Sequence, residues 1–525
     1  MLKSRMGTGL GLAFGFTVLS VNVQALPVSL ATNFTGSSYA QSNWIPPDTD
    51  GAIGGKYFAE LLNGQYAVYD TENSGVKLQS KTLDDFWRAA GITASLGTGS
   101  FDPRILFDPY AVRVGNTYSG RWFAASVDNA KNANHILVAV SDTPDPTSGW
   151  HGVAIDSDTS QQRSADFPQL GFDRDVVVVS TNMFCIASAT NCSGTQTAQL
   201  VLPKADLLAG SNPTGRLLTA GTETGLSAAP AVSLTNSNLP IPLLSSAGSG
   251  TVNGVTKDVL KISSIDGDAS NPTLNTTDRL IYVDQKSPPA DAAQEGSTVG
   301  IDAGDKRFSS SVISQVGDLW GVQTISENNH AALRWFHIDD PLGAPTVVDS
   351  GIITGDDLGL VSADLYYGSI AVNSALQAVI GFTASSDALY ASAYAIAGQS
   401  LSRNNLQFDL GNPFLLAQGQ ASYVRYDRGN NNRWGDYSAT VFQSDNSYHF
   451  WTIQEWASAE NQWSTQIAEI VFGAPEPSSL PLVGLALALA LGSGRRTRLQ
   501  VRAEMIDRFP DIALHRFATN ERCRC

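Results

Sequence analysis

Long hydrophobic runs, cysteine, histidine and basic charge are all scarce in this chain of 525 residues. The apolar run Leu480 to Leu491 holds about 12 residues, short of the roughly 20 that a membrane-spanning helix needs. Lys and Arg number 33 against 49 Asp and Glu, a net charge of -16. The segment to Ala25 contributes +2, Glu476 -1 and the stretch from Arg495 +4, which leaves about -21 for the body between them. Such a body repels nucleic acid and anionic membrane surfaces. Its acidity serves solubility and also supplies carboxylates for calcium.

The body holds two cysteines, Cys185 and Cys192. Two thiolates with no nearby histidine do not complete a zinc site. Separated by a polar, Gly-containing stretch, they predict a disulfide across a hairpin loop in an oxidising compartment. The body's histidines, His135, His151, His330, His337 and His449, form no His-x-x-x-His pair and no cluster with carboxylates, so zinc and iron are not indicated. No Gly-x-Ser-x-Gly elbow occurs in the body either. The Gly7-Thr8-Gly9-Leu10-Gly11 cluster follows no strand and is not read as a phosphate loop.

What is present is an abundance of Gly, Ser, Thr, Asn and Asp between short apolar runs. That pattern predicts an all-β protein. Tyr57 to Leu62 and Gln65 to Tyr69 flank Asn63-Gly64, a two-residue hairpin signal. A fuller unit begins at Asp102-Pro103-Arg104 and continues through Ile105 to Phe107, Arg121 to Val127, Ile136 to Ser141 and Trp150 to Ile155. Similar openings recur at Asp166-Phe167-Pro168, Tyr366-Tyr367-Gly368 and Trp434-Gly435-Asp436-Tyr437. A small antiparallel meander cannot bury both faces alone, so the recurrence predicts radial stacking into a β-propeller. About seven four-stranded blades are expected over residues 46–473, the weakest near Leu239 to Val283. Six or eight blades and a pair of β-sandwiches remain alternatives. Closure of the ring requires the Pro46 and Phe472 regions to be neighbours.

Several body segments carry a resemblance. Pro46 to Gly54, Asp102 to Asp108, Ile136 to Ser141, Phe167 to Gly171 and Arg433 to Ser438 resemble secreted bacterial proteins regarded as propellers and loosely labelled sialidase-like. The resemblance implies a fold and no agreed reaction. At the amino end, Lys3 and Arg5 precede the apolar Leu10 to Val21, and Val23-Gln24-Ala25 fits a cleavage site, so residues 1–25 read as a signal peptide. Residues 26–45 then form an N-terminal lead-in. At the other end, Pro475-Glu476-Pro477, a short hydrophobic helix and Arg495-Arg496 resemble a PEP-CTERM sorting signal over 474–496. That resemblance implies transient inner-membrane anchoring, an exosortase-type processing enzyme as partner, and a cell-surface or extracellular destination. The basic tail 497–525 departs from that pattern.

For chemistry, Arg104, Arg307 and Arg433 precede expected inner strands, with Asp166, Asp436 and Tyr437 at equivalent points. Converging guanidinium groups would hold a carboxylate, as a sialidase-like site requires. The competing reading, in which these arginines and aspartates pair to pin neighbouring blades, carries more weight. No complete Ser-x-Asp-x-Gly-x-Thr-Trp turn is found. Tyr367, Trp434 and Tyr437 are candidate aromatic faces for sugars or a protein partner, with core wedging as their structural alternative. Asp48 and Asp50 on one turn are the best calcium candidates, although Asx-turn chemistry explains such a loop without an ion. No cofactor is required. These readings point to an exported propeller that binds extracellular polysaccharide or a surface protein. The alternative is a carbohydrate-active hydrolase or lyase with its site at the central mouth.

Overall fold

The computed structural model describes residues 27–473, apart from 212, 214, 237, 239, 401–403 and 428. The signal peptide, the Pro475-Glu476-Pro477 and Arg495-Arg496 motif and the tail all lie outside the described residues. Strands dominate and the helices are short, Leu83–Ala89 being the longest among the described residues.

The first strand, β1 (Val28–Ser38), is followed by a meander of β2 (Asp50–Gly54), β3 (Tyr57–Leu62), β4 (Gln65–Asp70) and β5 (Val76–Lys81). β6 (Ser100–Val114), β7 (Thr117–Asp128), β8 (His135–Ser141) and β9 (Trp150–Asp156) repeat that order. So do β10 (Arg163–Phe172), β11 (Val176–Cys185), β12 (Gln196–Pro203) and β13 (Arg216–Ala220). The segment with the faintest signal forms β14 (Ala229–Ser233), β15 (Ile241–Val252), β16 (Val255–Asp268) and β17 (Asn271–Asp284). A hairpin of β18 (Ala292–Gln294) and β19 (Ser297–Ile301) intervenes. Then come β20 (Val312–Gln315), β21 (Asp318–Glu327), β22 (His330–Asp339) and β23 (Thr346–Ile353). β24 (Asp364–Val372), β25 (Gln377–Ser386) and β26 (Leu389–Ser400) follow, with β27 (Leu406–Phe408) and β28 (Phe414–Ala417) both on β26. Last are β29 (Ala439–Gln443), β30 (Asn446–Ala459) and β31 (Gln462–Phe472).

The opening strands of successive meanders touch in sequence, β2 to β6, β10, β14, β20, β24 and β29, and β29 returns to β2. Neighbouring inner strands run parallel where they pair, as at Phe172 with Val232 and Ala231 with Val312. The result is a β-propeller-like ring. One end of its centre is apolar, where Ile53, Leu106, Val232, Ile313, Ala371 and Val441 leave only a small hollow.

Closure differs from expectation in one respect. It is Val28, within the segment read as a lead-in, that pairs with Phe472. Strand β1 therefore completes the sheet β1-β31-β30-β29. Glu60, fully buried on β3, latches this seam. It accepts from the Ser37 amide at 3.2 Å, and from the Ser37 and Tyr69 hydroxyls at 2.7 Å each. The Thr465 hydroxyl donates to it as well. Glu60→Gln turns an amide toward donors that need an acceptor and is expected to cost about 1–3 kcal/mol. Chemical denaturation would measure this, and an unchanged midpoint would refute the latch.

Candidate functional site

At the other end of the ring the inner strands begin with a shared local geometry. Non-glycine residues take left-handed conformations at Asp48 (φ 47°), Asp102 (φ 52°), Phe167 (φ 54°) and Tyr367 (φ 50°). In three of these strands the register also slips, between Phe101 and Arg104, Asp166 and Gln169, and Tyr366 and Ser369. Such bulges re-aim side chains. Here they accompany the meeting of acids from separate sheets.

Asp48 and Asp102, both buried, and the half-buried Asp166 form a line of carboxyls. The Asn63 side chain braces it, donating from Nδ2 to Asp48 Oδ2 at 2.6 Å and accepting the Asp102 amide at 2.8 Å. Asp48 Oδ1 also accepts the Asp436 amide at 2.7 Å. Asp102 Oδ2 accepts from the Phe167 amide and the Tyr437 hydroxyl, each at 3.2 Å. Burial, reinforced by the Asp436 charge and opposed by Arg433, pushes Asp48 up to about 7. Burial first, then the charges of Asp48 and Asp166, push Asp102 well above the usual carboxylate range. Asp102 interacts with both neighbours through its side chain. Buried carboxyls set side by side each make it harder for the next to ionise.

The three arginines are each already engaged. Arg104 is 2% exposed and donates from Nε to Pro168 O at 2.9 Å and from Nη2 to Ser309 O at 2.8 Å. It faces Asp50 Oδ2 at 3.6 Å and lies 3.4 Å from the centre of the Tyr437 ring. Arg307 donates to Asp305 from Nε at 2.8 Å and Nη2 at 2.6 Å, and lies 4.5 Å from the Phe167 ring centre. Arg433 donates from Nη2 to Asp436 Oδ1 at 2.5 Å, with its Nε 3.6 Å from Asp302 Oδ2. Arg307 and Arg433 line the mouth, whereas Arg104 lies buried beneath it.

Above the carboxyl line is a cavity of about 380 Å³ lined by Asp166, Asp302, Asp305, Arg307, Arg433 and Asp436, with Tyr367 and Phe184. Tyr367 is 5% exposed and its hydroxyl has no partner. Its ring packs over Gly304, where a Cβ would come within 3.0 Å and the φ of 75° itself favours glycine.

Trp434 and Tyr437 do not present faces to a ligand. Both are 1% exposed; Trp434 donates to the Thr383 hydroxyl at 3.3 Å, and Tyr437 lies between Arg104 and Phe167. They wedge the sheets together, as the alternative reading had it. Asp48 and Asp50 likewise meet different partners, Asp50 accepting from the Gly51 amide at 2.7 Å and facing Arg104. Among the described residues no group of three or more His, Cys, Asp or Glu is arranged to hold a metal.

Sequence reasoning passed over Asn63, Asp102 and Phe184 as site residues. Asn63 reads as turn chemistry and Asp102 as a blade opening, so both were visible without their role. Phe184 is 41% exposed at the cavity rim, next to Cys185. Cys185 and Cys192 are disulfide-bonded, with Cα atoms 5.7 Å apart. Arg163 braces that loop by donating to Met183 O, Gly194 O and Ser193 O.

No family model and no curated protein matches the sequence. Among solved structures, the chain is similar to the α-L-arabinofuranosidase Arb93A of Fusarium graminearum (8% identity, 81% of this chain and 92% of that one, TM-score 0.35). It is also similar to a Trypanosoma rangeli sialidase (9%, 89% and 62%, TM-score 0.32). A third is the α-L-arabinanase of Penicillium chrysogenum (12%, 74% and 99%, TM-score 0.34).

Proposed function

We propose that this protein is an exported, seven-bladed β-propeller that binds a glycan at its central mouth. The observation that carries the reading is the polar cavity with the buried, unpartnered Tyr367 hydroxyl in its wall. Its volume suits a sugar unit, and hydroxyl-rich ligands supply the donors and acceptors such a wall lacks. Phe184 adds an apolar face at the rim. The blade count rests on the ring of inner strands, six of which open a four-stranded group while β24 opens one of five strands. Tyr367→Phe removes one hydroxyl and is expected to weaken binding of a glycan-array hit about tenfold, with little effect on stability. An unchanged affinity would sink the assignment.

A second reading, a hydrolase, is favoured by one feature. Burial, with the charges of Asp48 and Asp166, pushes the Asp102 carboxyl well above the usual range, and it interacts with Asp166, which lines the cavity. A carboxyl kept neutral by burial is suited to general-acid work. Incubating bound glycans and assaying for released product distinguishes the two, and product should vanish in Asp166→Asn.

Export and surface sorting are proposed on the sequence motifs. The mature protein is expected to begin near Leu26 and to lack everything beyond the Pro475 region. Intact-mass measurement on the surface form checks this; retention of Cys525 would refute the sorting step.

A further inference from the structure

We propose that the sugar taken at this mouth is an amino sugar carrying a free ammonium group, seated against Asp166 and Asp302. The inference rests on the mouth being the glycan site. The cavity wall carries four carboxylates, Asp166, Asp302, Asp305 and Asp436, against two guanidinium groups. Asp305 is taken up by Arg307 in a two-pronged pairing, and Asp436 by Arg433 at 2.5 Å. Asp166 is in no described ion pair, and Asp302 has only a looser share of the Arg433 that pairs with Asp436. Asp302 Oδ1 accepts only the Gly304 amide at 2.9 Å, and its Oδ2 stands 3.6 Å from Arg433 Nε, beyond hydrogen-bond distance.

An anionic sugar would have to strip an arginine from its own carboxylate, and a neutral one would leave the surplus negative charge uncompensated. A ligand ammonium does neither. The Tyr367 hydroxyl supplies the independent sign of a ligand: it is 95% buried, unpartnered and part of the same wall. Its oxygen can accept from the ammonium while its proton goes to a sugar hydroxyl.

The test is calorimetric titration at about pH 6.5 of the purified protein with three probes of equal length. These are glucosamine oligomers, their N-acetylated counterparts and galacturonate oligomers. The glucosamine series is expected to bind at least about tenfold tighter than the N-acetylated one, with galacturonate weakest. Asp302→Asn should bring the glucosamine affinity down to the N-acetylated level, with an unchanged thermal melting midpoint showing that the variant is folded. Asp268→Asn, at an exposed hairpin acid, should change neither and so exclude general attraction of a cation to an acidic protein. Equal or tighter binding of the N-acetylated or galacturonate probe overturns the amino-sugar inference and leaves glycan binding intact. Binding of none overturns both. A glucosamine preference that survives Asp302→Asn overturns the seat assigned to the ammonium.

Discussion

At about pH 8, where Asp50 is ionised, Arg104→Ala is expected to lower stability by about 3–5 kcal/mol, the range for breaking one partner out of a buried ion pair. The guanidinium reaches four meanders beyond its own: Pro168 on β10, Ser309 ahead of β20, Asp50 on β2 and Tyr437 ahead of β29. Its loss takes a donor from the Pro168 carbonyl, leaves Ser309 O with only the 3.5 Å contact from Gln169 Nε2, and leaves Asp50 without an opposing charge. Lysine should not rescue, because an ammonium lacks the planar fork that serves these partners at once. The double variant Arg104→Ala, Asp50→Asn should recover part of the loss, since the buried charge goes with its partner. Urea unfolding measures this through the midpoint at an unchanged slope. A single-variant loss below about 1 kcal/mol would mean that Arg104 does not pin the ring. This role also accounts for the missing carboxylate cradle: an arginine consumed by the scaffold is not available to a sialidase-like substrate.

Stability should fall as the medium is taken from about pH 5 to about pH 8. Burial raises Asp48 to about 7, raises Asp50 to about 7 against the pull of Arg104, and raises Asp173 to about 6. Asp102 and Glu455 are driven well above the ordinary range, again chiefly by burial. The folded state therefore holds protons that the unfolded chain releases near pH 4. Their contribution is complete below that value and is lost as the pH rises through about 6 to 7, at up to about 1.4 kcal/mol per proton per pH unit. Asp305 behaves oppositely: burial raises it, but its pairing with Arg307 lowers it more, so its contribution disappears in acid. The optimum should therefore lie on the mildly acidic side of neutrality. Denaturant midpoints across this range test the slope, and Asp48→Asn should flatten it. A midpoint that rises toward pH 8 would show that the line of carboxyls is ionised and held by charges other than those described.

The architecture was legible because its signals are local. Asn63-Gly64 does turn β3 into β4, with Leu62 opposite Gln65 and Gly64 at a φ of 76°. The Asp102, Asp166 and Tyr366 openings do begin inner strands. The disulfide was readable from spacing and surroundings. Closure by β1 was not, because pairing between distant segments leaves no local trace in either. The site was legible in composition and illegible in geometry. Arg104, Arg307 and Arg433 look equivalent along the chain, and only the fold separates a buried strut from two cavity-wall groups. Trp434 illustrates the same limit: an aromatic at an opening reads alike whether it faces sugar or core.

The seam between β1 and β31 imposes an order of events on synthesis. The Thr32 hydroxyl donates to Glu469 across 437 residues of sequence. A nascent chain therefore makes Val28–Ser38 early and carries it unpaired until almost the whole body has been translated. Its half-exposed alternation, with Ser29, Thr32, Asn33 and Thr35 among its residues, keeps that waiting segment from being a greasy, adhesive edge. The seam cannot close before Gln462–Phe472 has been made, and the earliest-made of the described strands closes it.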